Sequence, residues 1–109
     1  MHTEPENTRV LMELKQDLKG ILGDRLVSFV LFGSRARGDY ERGSDMDIAI
    51  IVRDLSRDLK NQILNRVAEI ELKYLAPISA LVFSEEDFNF LKERERRISI
   101  DIETEGIPL

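Results

Sequence analysis

Asp45 and Asp47 stand one residue apart at the head of an apolar run, Met46 to Val52, "MDIAIIV". Extended segments avoid aspartate, and two like charges this close repel each other. Residues two apart in an extended chain share a face, with Cα atoms about 7 Å apart. Carboxylates so placed can converge on Mg2+, which takes oxygen ligands and keeps water or phosphate oxygens in its remaining positions. The plainer explanation is a Ser44-Asp45 turn leading into a charged strand entry that discourages edge pairing. What decides between them lies upstream. Twelve residues before Asp45, Gly33 and Ser34 close another apolar run, Leu26 to Phe32, "LVSFVLF". A glycine where a strand gives way to a helix lets the backbone approach a phosphate, and the free N–H groups of a helix start attract it. Ser34 adds a hydroxyl donor. Alone, Gly-Ser after a strand is an ordinary turn. A phosphate cradle and a metal pair on neighbouring strand ends make one compound site. Arg35 and Arg37 can meet phosphate charge there, or pair with nearby acids. Asp39, Glu41 and Arg42 read as a solvated face.

Composition narrows the chemistry further. The 109 residues suit one domain, and 42% apolar with 34% charged residues describes a globular chain. A net charge of −5 argues against a general nucleic-acid surface, though a metal ion can still bring a nucleotide in. There is no cysteine, and the one histidine is His2. Disulfides, thiolate sites, cysteine nucleophiles and histidine triads are therefore set aside. No apolar run approaches the roughly 20 residues of a membrane span. "MHTEPENT" lacks the cationic start and apolar stretch of a secretory signal, so the expectation is a soluble, cytoplasmic protein.

The elements that must position the site follow from periodicity. Val10, Leu11, Leu14 and Leu18 mark a helix from Pro5 that Gly20 or Gly23 ends. Leu26–Phe32 reads as a strand buried on both faces, and Met46–Val52 as a second. Between them, Ser34 caps a short helix that Gly43 ends. A long amphipathic helix occupies "RDLSRDLKNQILNRVAEIELKYL", from Arg53 to Leu75, with Leu55, Leu59, Ile63, Val67, Ile70 and Tyr74 on one face. Pro77–Phe83 is a third strand. Ser84 then caps a last helix that runs to Gly106, although Ile98, Ile100 and Ile102 also alternate as a strand would. The order α-β-α-β-α-β-α predicts an α/β (α+β) domain over residues 1–109, with a small mixed sheet of about three strands covered by helices.

Gly33-Ser34-Arg35-Ala36-Arg37-Gly38 followed by Ser44-Asp45-Met46-Asp47-Ile48 resembles the G-S-x10-D-x-D signature of the nucleotidyltransferase superfamily. In particular the chain resembles the minimal nucleotidyltransferases, small single-domain members found beside HEPN proteins in prokaryotic toxin–antitoxin pairs. The helical start, the three-strand core, "FSEEDF" and the "EGI" ending agree with it. The resemblance implies the nucleotidyltransferase fold and a set of roles. Gly33 and Ser34 would hold the terminal phosphates of a nucleoside triphosphate, ATP in the first instance, with Arg35 and Arg37 assisting. Asp45 and Asp47 would be the catalytic pair and would bind the Mg2+ that bridges those phosphates. A nucleoside monophosphate would be transferred and pyrophosphate would leave. For the HEPN-associated group the implied acceptor is a tyrosine of the partner toxin, which makes the chain an adenylylating antitoxin.

One departure stands out. The superfamily usually carries a third carboxylate in the later strand, and "PISALVF" has none; Ser79 and Leu81 both remain open as its counterpart. Glu85 and Glu86 lie beyond the strand, where helix-start charge accounts for them. The alternative is therefore a catalytically weak or inactive antitoxin that neutralises its partner by binding. Free small-molecule modification is disfavoured, because 109 residues leave no room for the helical acceptor domain of larger enzymes. A homo-oligomer stays open.

Overall fold

The computed structural model describes residues 5–33 and 45–109. Helix α1, Pro5–Leu22, carries proline at its first position, where a missing N–H costs nothing. Val10, Leu11, Leu14, Leu18 and Leu22 return every three or four residues and are all buried. Gly20 does not stop it; Gly23, at φ +55°, does. A single 3-10 turn, Gly23–Arg25, leads into strand β1, Leu26–Phe32.

Strand β2, Met46–Val52, runs antiparallel to β1, with Phe32 opposite Asp47 and Leu31 opposite Ile48. Helix α2, Arg57–Tyr74, then crosses over to strand β3, Ile78–Ser84, which lies parallel to β2. Helices α3, Glu85–Glu93, and α4, Arg97–Glu105, follow. Strand β4, Ile107–Pro108, completes a mixed four-stranded sheet in the order β3-β2-β1-β4. Strand alternation splits the core in two. Leu31, Ile48, Ile50 and Ile78 face α1 and α2, against Leu14, Ile63 and Val67. Val30, Phe32, Ala49 and Ile51 face α3 and α4, against Phe88 and Ile102.

Both central strands have the bounds their apolar runs predict, and the α/β architecture holds. Four expectations are corrected. First, α2 begins at Arg57, not Arg53. The Arg53 N–H donates to Arg25 O at 2.8 Å and Asp54 turns at φ +53°, so Ser56 becomes the cap, its Oγ accepting from Leu59 N at 3.1 Å. Second, the last helix is two. Glu95 turns at φ +51°, and buried Ser99 fixes the new start by donating Oγ–H to Arg96 O at 2.8 Å. An unbroken helix would carry Ile98 and Ile102 off the sheet. Third, the sheet has four strands, because Ile107–Pro108 pairs with Val30 and Leu31. Fourth, β1 is buried on both faces only in its C-terminal half; Val27 is 38% exposed beside an irregularity in the β1–β2 register. The third strand starts at Ile78, one residue after Pro77. The short helix expected between Ser34 and Gly43 lies outside the described residues. No described helix is long and apolar enough to cross a membrane.

Glu13 ties α1 to α2. Tyr74 Oη donates to its Oε1 at 2.5 Å and Lys73 Nζ to its Oε2 at 2.9 Å. The Tyr74 hydrogen bond, then Lys73, hold the Glu13 carboxyl below its usual range. The same bond to Glu13 raises the Tyr74 phenol. A depressed carboxyl stabilises the fold above its unfolded pKa and loses that contribution as pH falls through the folded one; a raised phenol contributes below its unfolded pKa and loses it as pH rises through the folded one. Tyr74→Phe should therefore lower the melting temperature slightly across neutral pH, and the difference from wild type should vanish in acid below the Glu13 transition. Thermal melts of both proteins over a pH series check this.

Candidate active site

Antiparallel pairing of β1 with β2 brings the end of one strand to the start of the other. Phe32 sits opposite Asp47, so Gly33, the next residue, comes up against the Asp47 side chain. A Cβ on Gly33 would fall on the Asp47 carboxylate, 3.2 Å from Cγ and 3.3 Å from Asp47 Cβ, and closest of all to Oδ2. Gly33 also holds φ +74°, a conformation that L side chains disfavour. Glycine is thus required twice, for the turn out of β1 and for room beside the carboxylate. The structure joins two residues that the sequence linked only by analogy of position.

Asp45 precedes β2 and is exposed, while Asp47 is half-buried within it. Their spacing puts both on the α3/α4 face, the face of Phe32 and Ala49. The parallel β2–β3 register answers the question left open by the later strand: Ser79, not Leu81, is the residue paired with Asp47, and Leu81 pairs with Ala49. No sequence signal could have made that choice, because register comes from the pairing itself. Among the described residues no group of three His, Cys, Asp or Glu side chains is arranged to hold a metal. The donor set is a pair of carboxylates, which fits Mg2+ held by one or two carboxylates and completed by substrate phosphates. Glu85 and Glu86 do not extend that set. They lie past the far end of β3, about 20 Å along the strand from Ser79 at 3.3 Å per residue, and Glu85 pairs with Arg53 at 3.5 Å. Ser34, Arg35 and Arg37 lie outside the described residues.

A second concavity, of about 680 Å³, opens at the C-terminal ends of β2 and β3, where parallel sheets often take ligands. Asp54, Glu85, Glu86 and Glu93 line it against the one cation, Arg53. That balance repels a triphosphate.

A strand-end glycine packed on the second of two alternate aspartates, within a small mixed sheet, defines the nucleotidyltransferase class. The chain belongs to that class by descent as well: the nucleotidyltransferase domain family matches residues 11–107. It is 37% identical over 79 residues to a Methanocaldococcus jannaschii protein named "putative protein adenylyltransferase MJ0141", covering 72% of this chain and 80% of the relative. A second protein of that organism, of the same description and designated MJ0604, is 40% identical over 81 residues, covering 74% and 77%. Among solved structures, the fold is shared with a Sulfolobus solfataricus nucleotidyltransferase structure described as putative, at TM-score 0.53 and 20% identity over 92% of this chain and 76% of that one. It is shared also with a chain of a toxin–antitoxin complex with AMP-PNP, at TM-score 0.56 and 21% identity over 94% and 71%. The resemblance read from the G-S-x10-D-x-D motif is borne out.

The wild type should melt higher in Mg2+-ATP than in chelator, and Gly33→Ala should displace the Asp47 carboxylate and abolish that rise. The left-handed backbone should add a stability loss of about 1–2 kcal/mol. Thermal melts in chelator and in Mg2+-ATP separate the two effects; an unchanged response to Mg2+-ATP would reduce Gly33 to an ordinary turn.

Proposed function

We propose that this chain is a Mg2+-dependent adenylyltransferase that modifies a hydroxyl of a partner protein in the cytoplasm. The partner is a HEPN-domain toxin, the acceptor is a tyrosine, and the outcome is neutralisation of the toxin. The observation that carries the reading is the close approach of Gly33 to the Asp47 carboxylate, which supports a phosphate cradle and a metal ligand working at one point. The names of the relatives and the toxin–antitoxin neighbour support the choice of a protein acceptor.

In this reading Gly33 and Ser34 receive the terminal phosphates of ATP, and Arg35 and Arg37 offset their charge. Asp45 and Asp47 would hold Mg2+, which when bound neutralises the triphosphate and the leaving group. The acceptor oxygen forms a bond to the α-phosphorus while the bond from that phosphorus to the pyrophosphate oxygen breaks. AMP stays on the acceptor and pyrophosphate departs. The hydroxyl proton must go to a base. Ser79, the residue paired with Asp47, is no carboxylate, so the base is borrowed from the partner protein or the transfer is slow.

That same serine favours a second reading, in which the chain binds nucleotide and partner without turnover. Incubation with labelled ATP, Mg2+ and a HEPN partner distinguishes them. Adenylylation predicts label on the partner, lost in Asp47→Asn and increased in Ser79→Asp, which supplies the absent carboxylate. Partner binding with no label from wild type or Ser79→Asp would establish the non-catalytic reading instead.

A further inference from the structure

The face of the sheet that carries Asp47 is only partly covered. Val30, Phe32, Ala49, Ile51 and Phe83 share it, and strand alternation sets Ser79 and Leu81 on the same side of β3 as Phe83. Helix α3 starts beyond the far end of β3 and lays Phe88 on Phe83, with ring centroids 5.7 Å apart. Helix α4 brings Ile102 into the cluster of Val30 and Phe32, over β1. Neither helix closes over Leu81. Ile78, Ala80 and Val82 pack into one core cluster and Phe83 into the other, whereas Leu81 belongs to neither and is 36% exposed. One exposed leucine is ordinary in itself. This one stands two residues along from Ser79, on the face of Asp47, at the margin of the candidate site.

The order of the strands decides which reactant comes to that margin. In the function proposed above, on which this inference rests, the terminal phosphates lie at Gly33, past the end of β1, and the metal lies at Asp47 on β2. Displacement at phosphorus keeps the entering and leaving oxygens roughly in line. Pyrophosphate leaves on the β1 side of the reacting phosphorus, so the acceptor oxygen enters from the β3 side. Neighbouring strands lie about 4.8 Å apart, which brings that oxygen over Ser79, the residue paired with Asp47. Strand β3 is an edge of the sheet, so no further strand stands beyond it.

We propose that Ser79 and Leu81 seat the acceptor, and that Leu81 is the residue that selects a phenol over other hydroxyls. The two side chains stand about 7 Å apart along the strand, close to the reach of a tyrosine from its hydroxyl to its Cβ. A phenol laid along β3 sets its oxygen beside Ser79 and Asp47 and the body of its ring on Leu81. Ser79 Oγ accepts from the phenol O–H and holds the oxygen in line. It is not the base, and the proton leaves as in the transfer described above. A serine or threonine is too short for this seat. To bring its hydroxyl to the same point it must set its own backbone over Ser79, and Leu81 stays in water. A sugar hydroxyl comes with a polar body that gains nothing from leucine. The seat therefore recognises a hydroxyl at the end of an apolar ring.

NMR on the full chain tests this, with Mg2+, the α,β-methylene analogue of ATP, which cannot release pyrophosphate, and N-acetyl-tyrosinamide as the phenol probe. The ring current of the probe should shift the Leu81 methyl signals, and saturation of the protein methyls should pass to the ring protons. N-acetyl-serinamide should leave the Leu81 methyls unmoved. Leu81→Ala should weaken binding of the phenol about tenfold, and Leu81→Met, which keeps an apolar surface, should restore it. Leu81 methyls that stay unmoved up to the solubility limit of the phenol overturn the proposal, as does an equal response to the serine amide. A Leu81 shift that is complete with the nucleotide alone places the base there and overturns it too. Thermal melts of the same samples separate the seat from the function. A nucleotide-induced rise in melting temperature without a phenol response overturns the seat alone, and absence of the rise overturns both.

Discussion

Everything at the candidate site depends on the register between β1 and β2. A strand pair has a side-chain period of two, so a slip of one residue would turn Asp47 from the α3/α4 face into the core occupied by Ile48 and Leu31. Burying a carboxylate there would cost several kcal/mol. The apolar residues either side of Asp47 thus lock its position: Met46 and Ile48 are buried in the α1/α2 core and leave it no alternative face. The same lock sets Phe32 opposite Asp47 and thereby delivers the glycine that follows. Fold specificity and site assembly are one constraint.

Periodicity in the sequence made the helix faces and the two central strands legible. "LVSFVLF" and "MDIAIIV" are short, apolar and β-branched, and both became strands with the bounds of their runs. The candidate roles of Asp45, Asp47 and Gly33 came from a different signal: a strand-end Gly-Ser pair set twelve residues ahead of two alternate aspartates, a motif rather than a period. Features set by tertiary contact were hidden. Arg94 to Arg96 contain no glycine or proline, yet the chain turns there because Ile98 and Ile102 must return to the sheet. Ile107–Pro108 is too short to show a period and is a strand only because β1 offers an edge. Ser79 gained meaning only from its partner across the ladder.

The site also shows a division of labour. Helices α1 and α2 cover a face made almost wholly of aliphatic residues, and Glu13, Lys73 and Tyr74 close their seam at the surface. The other face combines a smaller apolar cluster with Asp47 and Ser79. Stability is concentrated on one side of the sheet, which leaves the other able to carry like charges and a glycine with a disfavoured backbone.

Strand β4 bears on when this protein can fold. Leu109 N donates to Phe29 O at 2.9 Å, Lys15 Nζ donates to Leu109 O, and β4 lies along Val30 and Leu31. These contacts join positions separated by most of the polypeptide, and such loops close slowly. During synthesis, α1, β1 and β2 emerge long before the residues that seal the β1 edge. Until residue 109 clears the ribosome, that edge has no neighbour. A nascent chain would meet its surroundings with the sheet open beside Phe29 and Leu31, and would become resistant to misassociation only once β4 has paired with β1.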